Sequence, residues 1–529
     1  MKIIYMDNRN YQPIIYSVIL VFGIIVGNVW FRDYENNLIK LIQPNLYNTK
    51  TPEFYDNHLK INAILQIVEE NYVDGFDINE HEDAILQSIM SELDPHSNYI
   101  PKKEQSYIEE DMQGSFSGIG VEFNIIKDSL VVVSPISGGP SEKLGIISGD
   151  RIIEVDGEDF ASVGITNSDV VEHLRGEKGT EVKVKIFRRG EKESLDFTII
   201  RGDIPMYSVD ASYMIDNKTG YIKVNRFSAT TNKEFYEGTQ RLLLEGMQNL
   251  ILDLRGNPGG YLGSAIYMCN EFLDEGELIL YTAGNHRSKE EIFSDNDGRL
   301  IDTKLVVLID EGSASASEIV SGCMQDLDRG TVIGRRSFGK GLVQEEIILD
   351  DGSAVRLTTQ RYYIPSGRSI QKPYSKHEKE YYMEQYNRDE NEEIADSLKF
   401  KTKNGRTVYG GGGITPDIII SRDSLLNYTN FNKIRSKNWI AEFALTYKEK
   451  VKKEDGIEAL LADKIYFDFL EFAKNKSEKV DFEMGEKELN DLKLFIKATI
   501  VKSVWDKNDY FKVINSSDKY LIKALETLN

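Results

Sequence analysis

The sequence predicts a multi-domain α/β protein, and three observations support this fold class. The chain has 529 residues, which is too long for one ordinary domain, so three or four domains are expected. Near its centre, short apolar runs that fit buried strands alternate with stretches of helical periodicity. Apolar residues recur at helical spacing before this centre and again from about residue 424. We therefore expect an N-terminal helical segment, an α/β core and a C-terminal helical region.

The composition limits the classes of partner. The net charge is −22, from 64 basic and 86 acidic residues, which argues against nucleic acid or anionic lipid as a main partner. The two cysteines, Cys269 and Cys323, both fall in apolar helical patterns and are interpreted as small core residues. Neither a disulfide framework nor zinc-ligand spacing is present in the sequence, so we expect no metal.

Residues 1–35 are predicted to form a membrane anchor. Residues 14–31 are almost wholly apolar and would span roughly 27 Å as a helix, enough for a bilayer core. Lys2 and Arg9 favour a cytoplasmic N-terminus. No small-residue cleavage site follows, so an uncleaved anchor is preferred over a removed signal peptide or a core helix. In a two-membrane bacterium this means a single pass of the inner membrane with a periplasmic catalytic part.

Residues 50–112 are predicted to be helical. One helix places apolar residues at Ile61, Ile64, Leu65, Val68 and Tyr72, and a second places them at Ile85, Leu86, Ile89 and Leu93. Pro95 is expected to stop the second helix.

Residues 113–203 alternate strand patterns with glycine turns. Within them, residues 117–123 (SGIGVEF) resemble the carboxylate-binding loop and second strand of a PDZ domain, and residues 145–157 resemble its central strand and turn. The resemblance implies that the amides of Gly118, Ile119, Gly120 and Val121 hold a terminal carboxylate while a strand edge accepts an extended peptide. A helix near residues 168–174 would form the other wall of the groove. The alternative is an ordinary β-rich domain whose glycines only make turns.

Residues 204–420 are predicted to form the α/β core. Buried strands are expected at residues 220–224, 250–254 and 305–309, with a helix at residues 234–247 and a hairpin turn at Asp351-Gly352. Within this core, residues 371–408 are rich in tyrosine, glutamate and lysine, and are interpreted as a surface excursion or lid without an assigned role.

The chemistry is predicted to lie where the strand 305–309 (LVVLI) ends. There, residues 311–318 (EGSASASE) lead into a helix, and a serine at a helix start has amides and a helix dipole that favour developing negative charge. Spacing alone leaves Ser313, Ser315, Ser317 and Ser337 open as nucleophiles. It also allows Ser315 to be only the cap of a capping box with Glu318.

A serine nucleophile needs a base, and Lys340 is the candidate. None of the six histidines lies in this stretch, whereas Lys340 stands between two glycines that allow close backbone approach. A lysine base must be neutral, so its pKa must fall by about three units. Gln344 could orient the amine without adding a charge that would lock it as ammonium. Ser337 and Lys340 also fit a Ser-x-x-Lys pattern, but so do Ser516 and Lys519, which makes that pattern weak.

A glycine-rich loop at residues 255–261 (RGNPGGY) follows the strand 250–254 and precedes a helix. Such a loop can present amides to an anion, although it could be only a tight turn.

Residues 311–318 and 337–344 (SFGKGLVQ) together closely resemble the carboxyl-terminal processing protease family. The resemblance covers roughly residues 60–420. It implies that Ser315 is the nucleophile, Lys340 the general base and Gln344 the residue that orients the base.

The same resemblance assigns an oxyanion hole to the amide of Ala316 and that of Gly259 or Gly260. Residues 93–99 (LDPHSNY) resemble the sequence that precedes the PDZ domain in this family, and His96 is interpreted as structural. Arg175, which follows the groove helix, is a candidate for coupling the PDZ domain to the protease through acidic residues of the core, and is otherwise a plain surface arginine.

Residues 421–529 are predicted to be helical, beyond the reach of the resemblance. One apolar stripe comprises Leu460, Leu461, Ile465, Phe469 and Phe472, and another comprises Leu489, Leu492, Ile496 and Ile500. These helices could pack on the core, form a homo-oligomer or hold an adaptor, and the sequence leaves this open.

We therefore expect a membrane-anchored, extracytoplasmic serine endopeptidase with a Ser-Lys dyad and no cofactor. The resemblance implies that it cleaves protein substrates near or from their C-termini, with free C-terminal tails bound by the PDZ domain. The alternatives are a non-catalytic PDZ scaffold that binds such tails, and a hydrolase of the penicillin-binding type that uses Ser337 with Lys340.

Overall fold

The computed structural model describes residues 52–136, 138–374, 378–385, 387–388, 395–421, 429–476 and 484–529. The predicted anchor, residues 1–35, lies outside these residues. Among the helices described, none is long and apolar enough to cross a membrane. The chain divides into two compact units, Met1–Glu82 and Asp83–Asn529.

The first unit is helical where it is described. It contains α1 (Pro52–Asn71) and the start of α2 (Ile78–Ser91), as the apolar spacing predicted. Between them, the ring of Phe76 stacks on that of His81 with a centroid distance of 4.5 Å.

The second unit begins with α2 continuing to Ser91, a short strand β1 (Asn98–Ile100) and α3 (Lys102–Gln113). The sequence pattern did not predict β1. Helix α3 ends at Gly114, whose φ of 76° lies in the left-handed region that favours glycine.

The segment predicted to be a PDZ domain forms an antiparallel sheet with two helices. Its elements are β2 (Ser115–Gly118), β3 (Val121–Ile125), β4 (Leu130–Pro135), α4 (Pro140–Lys143), β5 (Arg151–Val155), β6 (Glu158–Asp159), α5 (Asn167–Leu174), β7 (Glu181–Phe187), β8 (Leu195–Ile200) and β9 (Gly202–Pro205). The strand order is β3-β4-β5-β7-β8, with β6 on β5, so β3 is an edge strand. Strands β2 and β9 pair with each other, which brings the start and end of this segment together.

The α/β core contains two large sheets and a two-stranded sheet of β19 and β20. Its elements are β10 (Val209–Met214), β11 (Thr219–Val224), α6 (Thr231–Leu244), β12 (Asn249–Asp253), α7 (Leu262–Asn270), β13 (Leu278–Gly284), β14 (Arg287–Phe293), β15 (Lys304–Ile309), α8 (Ala316–Asp326), β16 (Gly330–Gly334), β17 (Leu342–Ile348), β18 (Ala354–Tyr363), α9 (Glu378–Glu384), β19 (Lys399–Lys401), β20 (Thr407–Tyr409) and β21 (Ile418–Ile419).

The first sheet has the order β10-β11-β12-β15-β16-β21 and is parallel except for β10. Strands β12 and β15 are neighbours, so the loop after β12 and the turn after β15 meet at one edge of the sheet. This crevice outside the carboxyl ends of parallel strands is the usual place for a binding site in such folds.

After its first residue, Lys304, the central strand β15 is apolar because the sheet is covered on both faces. Val307 belongs to the core that includes residues of α6, α7 and α8, whereas its neighbours Val306 and Leu308 contact the opposite cluster. That second cluster includes Leu521 and Ala524, from the last helix of the chain.

The second sheet is antiparallel and has the order β1-β18-β13-β14, with β17 also paired to β18. The hairpin of β17 and β18 turns at Asp351-Gly352, as predicted. Because Lys340 lies just before β17 and Gln344 lies on it, this hairpin positions both side chains.

The C-terminal region is helical, as predicted. Its helices are α10 (Thr429–Ser436), α11 (Trp439–Tyr447), α12 (Ala462–Lys474), α13 (Glu486–Val504), α14 (Lys507–Ile514) and α15 (Lys519–Leu528). Most of the predicted stripe residues join a separate apolar cluster, but Leu461 precedes α12 and is 64% exposed.

The C-terminal region contacts both neighbouring parts of the second unit. Helix α15 packs on the parallel sheet of the core. Towards the PDZ-like segment, Lys502 pairs with Glu122 at 3.2 Å and the Asn438 amide donates to the carbonyl oxygen of Ile125 at 3.4 Å. The sequence had left open whether this region packs on the core; part of it does.

Candidate active site

Ser315 lies in the turn between β15 and α8 and has an unusual backbone conformation. Its φ is 53°, a left-handed value that is uncommon outside glycine. Its amide donates to the carboxylate of Glu318 at 2.9 Å, which is the interaction of the predicted capping box. Ser315 is partly exposed, whereas the helix that it starts is buried along its whole length.

The other three candidate serines are fully buried and hydrogen-bonded to the framework. The hydroxyl of Ser313 donates to the carbonyl of Leu254 at 2.8 Å, and that of Ser317 donates to the carbonyl of Asn257 at 2.9 Å. The hydroxyl of Ser337 donates to Glu318 at 2.5 Å and accepts from the amide of Ile414 at 2.6 Å. Of the four, Ser315 is therefore the one with access to a substrate.

Glu318 joins the serine turn to the lysine loop, a role that the sequence did not reveal. Its fully buried carboxylate accepts from the amides of Ser315, Gly339 and Lys340, at 2.9, 2.7 and 2.8 Å, as well as from Ser337. Burial raises its pKa, against the effect of these hydrogen bonds. The capping-box spacing was the only sign in the sequence that this residue contacts Ser315.

Tyr362, on β18, makes a second link between the same two segments. Its buried hydroxyl lies 2.6 Å from the carbonyl oxygen of Lys340 and 3.2 Å from that of Ser315. No local sequence pattern predicted this contact, because Tyr362 lies 22 residues after Lys340 and 47 residues after Ser315.

The amine of Lys340 has an uncharged partner. Its Nζ lies 2.6 Å from Oε1 of Gln344. Burial, followed by repulsion from Arg356, lowers the pKa of Lys340 to about 8, and the more weakly acting carboxylates of Asp94 and Glu318 oppose the change. A substantial fraction of the amine is therefore neutral near pH 8.

Gln344 is held from its other end by His96. The amide nitrogen of Gln344 donates to the backbone carbonyl of His96 at 2.5 Å. Burial, followed by repulsion from Lys340, lowers the pKa of His96 to about 4, so its ring is neutral at physiological pH. The backbone contact agrees with the interpretation of His96 as structural.

A polar cavity of about 620 Å³ opens beside Lys340 and Gln344. Its walls include Asp94, Arg356 and Tyr382. The cavity gives an extended polypeptide room next to the amine of Lys340.

The glycine loop after β12 lies directly against the serine turn. A Cβ atom added to Gly259 would stand 2.8 Å from the Cβ of Ser315 and 2.9 Å from the amide nitrogen of Ala316. With a φ of 101°, this position suits glycine for both conformational and steric reasons. The loop therefore lies in close contact with the turn that carries Ser315 and Ala316.

The two glycines of the predicted oxyanion hole differ in their hydrogen bonding. The amide of Gly259 donates to Oδ1 of Asn257 at 2.9 Å. Gly260 forms a bridge with Phe227, and its own amide has no protein acceptor among the residues that the structure describes. Gly259 thus lies against the serine turn, whereas Gly260 lies against Phe227.

The predicted PDZ loop is only partly exposed. Ile119 is buried, and its carbonyl accepts from the amide and hydroxyl of Ser141 at 3.1 and 2.6 Å. Gly120 has a φ of 76°, and Gly118 ends β2. Val121 begins the edge strand β3, and α5 (Asn167–Leu174) covers the residues where the sequence predicted the helix of the other groove wall.

Arg175 connects the end of α5 to α3. Its guanidinium pairs with Glu110 at 3.1 Å and lies 4.1 Å above the ring of Phe116. Its acidic partner Glu110 thus lies on the helix that precedes the PDZ-like segment, and not in the core where the sequence led us to expect it.

No group of three or more His, Cys, Asp and Glu side chains in the described part of the chain is arranged to hold a metal ion. The two cysteines are buried in the core, as predicted.

Comparison with known proteins gives two family matches. Residues 218–378 match peptidase family S41, and residues 117–199 match the PDZ domain family. A carboxy-terminal-processing protease of Bartonella bacilliformis is 35% identical over 322 residues, which cover 60% of this chain and 73% of that protein.

A second relative and a solved structure are also similar to this chain. The carboxy-terminal processing protease CtpA of Bacillus subtilis is 35% identical over 314 residues, covering 59% of this chain and 66% of that protein. A solved photosystem II D1 C-terminal processing protease is 25% identical, with coverage of 69% and 87% and a TM-score of 0.38.

Proposed function

Since the chain belongs to the carboxy-terminal processing proteases of peptidase family S41, which are serine-type peptidases, we propose that Ser315 and Lys340 form its catalytic dyad. The observation that carries this proposal is the environment of Lys340. Its side chain is partly buried, its pKa is lowered to about 8 and its partner is the uncharged Gln344. Such a lysine can accept a proton, which an ordinary surface lysine cannot do at neutral pH.

In the proposed reaction, Ser315 attacks the carbonyl carbon of a peptide bond as Lys340 takes its proton. The ammonium then donates this proton to the leaving amine, and an acyl-enzyme forms on Ser315. A water molecule, deprotonated by the now neutral Lys340, hydrolyses the ester. Gln344 accepts a hydrogen bond from the amine throughout, which keeps the nitrogen lone pair directed to one side.

The oxyanion of the tetrahedral intermediate is stabilised by the amide of Ala316, which lies at the positive end of α8. The glycine loop of residues 255–261 supplies the second amide. The close approach of Gly259 to Ser315 and Ala316 supports this assignment. Gly260 supplies the second donor in our proposal, because the amide of Gly259 is already bonded to Asn257.

The PDZ domain binds the C-terminal tail of a protein substrate in the groove between β3 and α5. The terminal carboxylate would bind at residues 118–121, and the tail would add a strand to the free edge of β3. Arg175 transmits the binding of a tail from α5 to α3, because it forms an ion pair with Glu110 of α3. Blocking the substrate's terminal carboxylate should therefore slow cleavage strongly.

The N-terminal residues are proposed to anchor the protease in the inner membrane, with the catalytic part in the periplasm. The apolar run of residues 14–31 and the basic residues before it support this location. Fractionation of cells before and after high-salt and alkaline washing would test it, because an anchored protein stays in the membrane pellet.

The deciding experiment measures cleavage of an unstructured protein with a free C-terminus by the full chain, beside the variants Ser315→Ala, Lys340→Ala and Ser337→Ala. We expect activity in the wild type and in Ser337→Ala only. Equal activity in all four proteins would contradict the dyad. Loss of activity in Ser337→Ala and Lys340→Ala but not in Ser315→Ala would favour the penicillin-binding type of site, and C-terminal peptide binding without any cleavage would favour the scaffold.

A further inference from the structure

The insertion of residues 371–408 reaches into the active site. Arg388 donates to the carbonyl oxygens of Ser337 and Phe338, at 2.5 and 2.7 Å, in the loop that carries Lys340. It also pairs with Glu384 of α9 at 2.7 Å, and Lys372 donates to Glu384 at 3.1 Å. Lys372, before α9, and Arg388, after it, therefore both bond to Glu384, and Arg388 joins α9 to the loop that carries Lys340.

Tyr381 is the more deeply buried of the two tyrosines of α9. It is 4% exposed and packs in a small apolar cluster with Ala314 and Phe338, which flank the serine turn and the lysine loop. Lys372 donates to its backbone carbonyl at 2.6 Å. The position of its ring is thus set by packing and by the backbone.

The hydroxyl of Tyr381 lies 2.8 Å from Nε2 of His96. Gln371 donates to the same hydroxyl oxygen at 3.2 Å, which leaves the hydrogen of the tyrosine free to be donated to the histidine. On the other side of His96, its backbone amide donates to Asp94 at 2.8 Å. Tyr381 therefore holds the ring of His96, and Asp94 holds its backbone.

The carbonyl of His96 determines which end of the Gln344 amide faces Lys340. The carbonyl can only accept, so it selects the amide nitrogen and turns the amide oxygen towards the amine. Without this contact, the amide could turn over and present its NH₂ group to Lys340. Orientation of the base therefore depends on the placement of His96.

We propose that Tyr381 is a positioning residue for the general base, and that it acts through His96 and Gln344 on Lys340. The inference rests on the proposed function, since it presupposes that Lys340 is the base. The insertion then has a role in catalysis, because Tyr381 of α9 holds His96, and His96 orients the amide of Gln344.

The test replaces Tyr381 by Phe, which removes the hydroxyl and keeps the ring in its cluster. Measured on the full chain, the rate at which a fluorophosphonate labels Ser315 should fall about tenfold, the loss expected for one hydrogen bond in a base-orienting network. The final extent of labelling should stay at the wild-type value, which shows that the variant is folded. Tyr213→Phe is the matched control, because its buried hydroxyl also accepts a hydrogen bond from a side-chain amide, that of Asn515 at 3.0 Å, and its labelling rate should not change.

A second arm distinguishes positioning from a general structural effect. In a Gln344→Ala background, Tyr381→Phe should change the labelling rate by no more than about twofold, because the residue through which it acts is gone. Two independent effects that multiply, or a wild-type rate in Tyr381→Phe, would overturn the inference.

Labelling of Ser315→Ala and Lys340→Ala separates failure of this inference from failure of the proposed function. If both variants are silent and Tyr381→Phe behaves as the wild type, only the role of Tyr381 is wrong. If either dyad variant labels at the wild-type rate, or the wild type is not labelled, the proposed function and the inference fail together.

Discussion

At the scale of single residues, the electrostatic problem of this site is to keep a lysine neutral beside acidic groups. Glu318 is buried close to the lysine loop, yet its carboxylate is occupied by hydrogen bonds from the framework, including the amide of Lys340. The amine itself contacts the neutral amide of Gln344. The negative charge thus organises the backbone while an uncharged group contacts the amine.

The pH dependence of activity should follow Lys340. The base acts in its deprotonated form, so with a pKa of about 8 the rate should rise with pH and level off above about pH 9. Repulsion from Arg356 helps to lower this pKa, so Arg356→Gln should move the midpoint to higher pH and reduce the rate at pH 7. The pH profile of fluorophosphonate labelling measures both effects.

Arg361→Gln is the control for this charge effect. It removes the same charge from an exposed position of the same strand, β18, and Arg361 has no part in the lowered pKa of Lys340. A profile that shifts equally in both variants would mean that overall charge, not the local repulsion from Arg356, sets the midpoint.

Glu318→Gln should damage both stability and catalysis. The amide retains only one acceptor oxygen for the four donors that now share the carboxylate, which leaves buried donors unpaired. We expect the free energy of unfolding to fall by about 2 to 4 kcal/mol and labelling of Ser315 to slow. Urea denaturation measures the first effect. Wild-type stability and labelling would show that the carboxylate does not hold the two segments together.

At the scale of elements, the sequence predicted what local patterns determine. The strand 305–309 was evident because it is apolar on both faces, and the helix after it because of its spacing. Strand β1 was missed because three residues carry no period, and its partner β18 lies some 250 residues later. The contacts of Tyr362 and Tyr381 were missed for the same reason: they join segments that are distant in sequence.

The glycine loop is the element whose shape is most constrained. Gly259→Ala should lower the labelling rate of Ser315 by two orders of magnitude or more, because the new Cβ would stand 2.8 Å from the Cβ of Ser315 and displace the turn. Gly256→Ala is the matched control in the same loop. Its φ is also positive, at 68°, but a Cβ there meets nothing within 4 Å.

Gly256→Ala should therefore cost only about 1 kcal/mol of backbone strain and leave the labelling rate near that of the wild type. Comparing the two variants separates the steric approach of the loop to the serine from the conformational preference of glycine. Equal rates in both variants would mean that the loop adapts and that its approach to Ser315 is not needed.

At the scale of the whole molecule, the C-terminal region packs on the face of the parallel sheet opposite to α6, α7 and α8. Arg255, at the start of the glycine loop, pairs with Asp518 at 2.8 Å and lies over the ring of Tyr520. Asp518 caps α15 by accepting from the amide of Tyr520. The Ser-x-x-Lys pattern of Ser516 and Lys519 thus lies at the start of α15. Asp518 and Tyr520 contact Arg255 and so stabilise the glycine loop that faces Ser315.

Helix α15 should accordingly contribute to the stability of the protease core. Leu521 is 3% exposed and packs on the sheet with Val306 and Leu308, so Leu521→Ala should lower the free energy of unfolding of the core by about 2 to 4 kcal/mol. Ile522, the next residue of the same helix, is 49% exposed, and Ile522→Ala should change it by less than about 0.5 kcal/mol. Hydrogen exchange of β12 and β15 measures the effect in the core itself. Equal protection of these strands in the two variants would show that α15 is an independent appendage, whereas selective loss of protection in Leu521→Ala would establish it as the layer that closes the second face of the catalytic sheet.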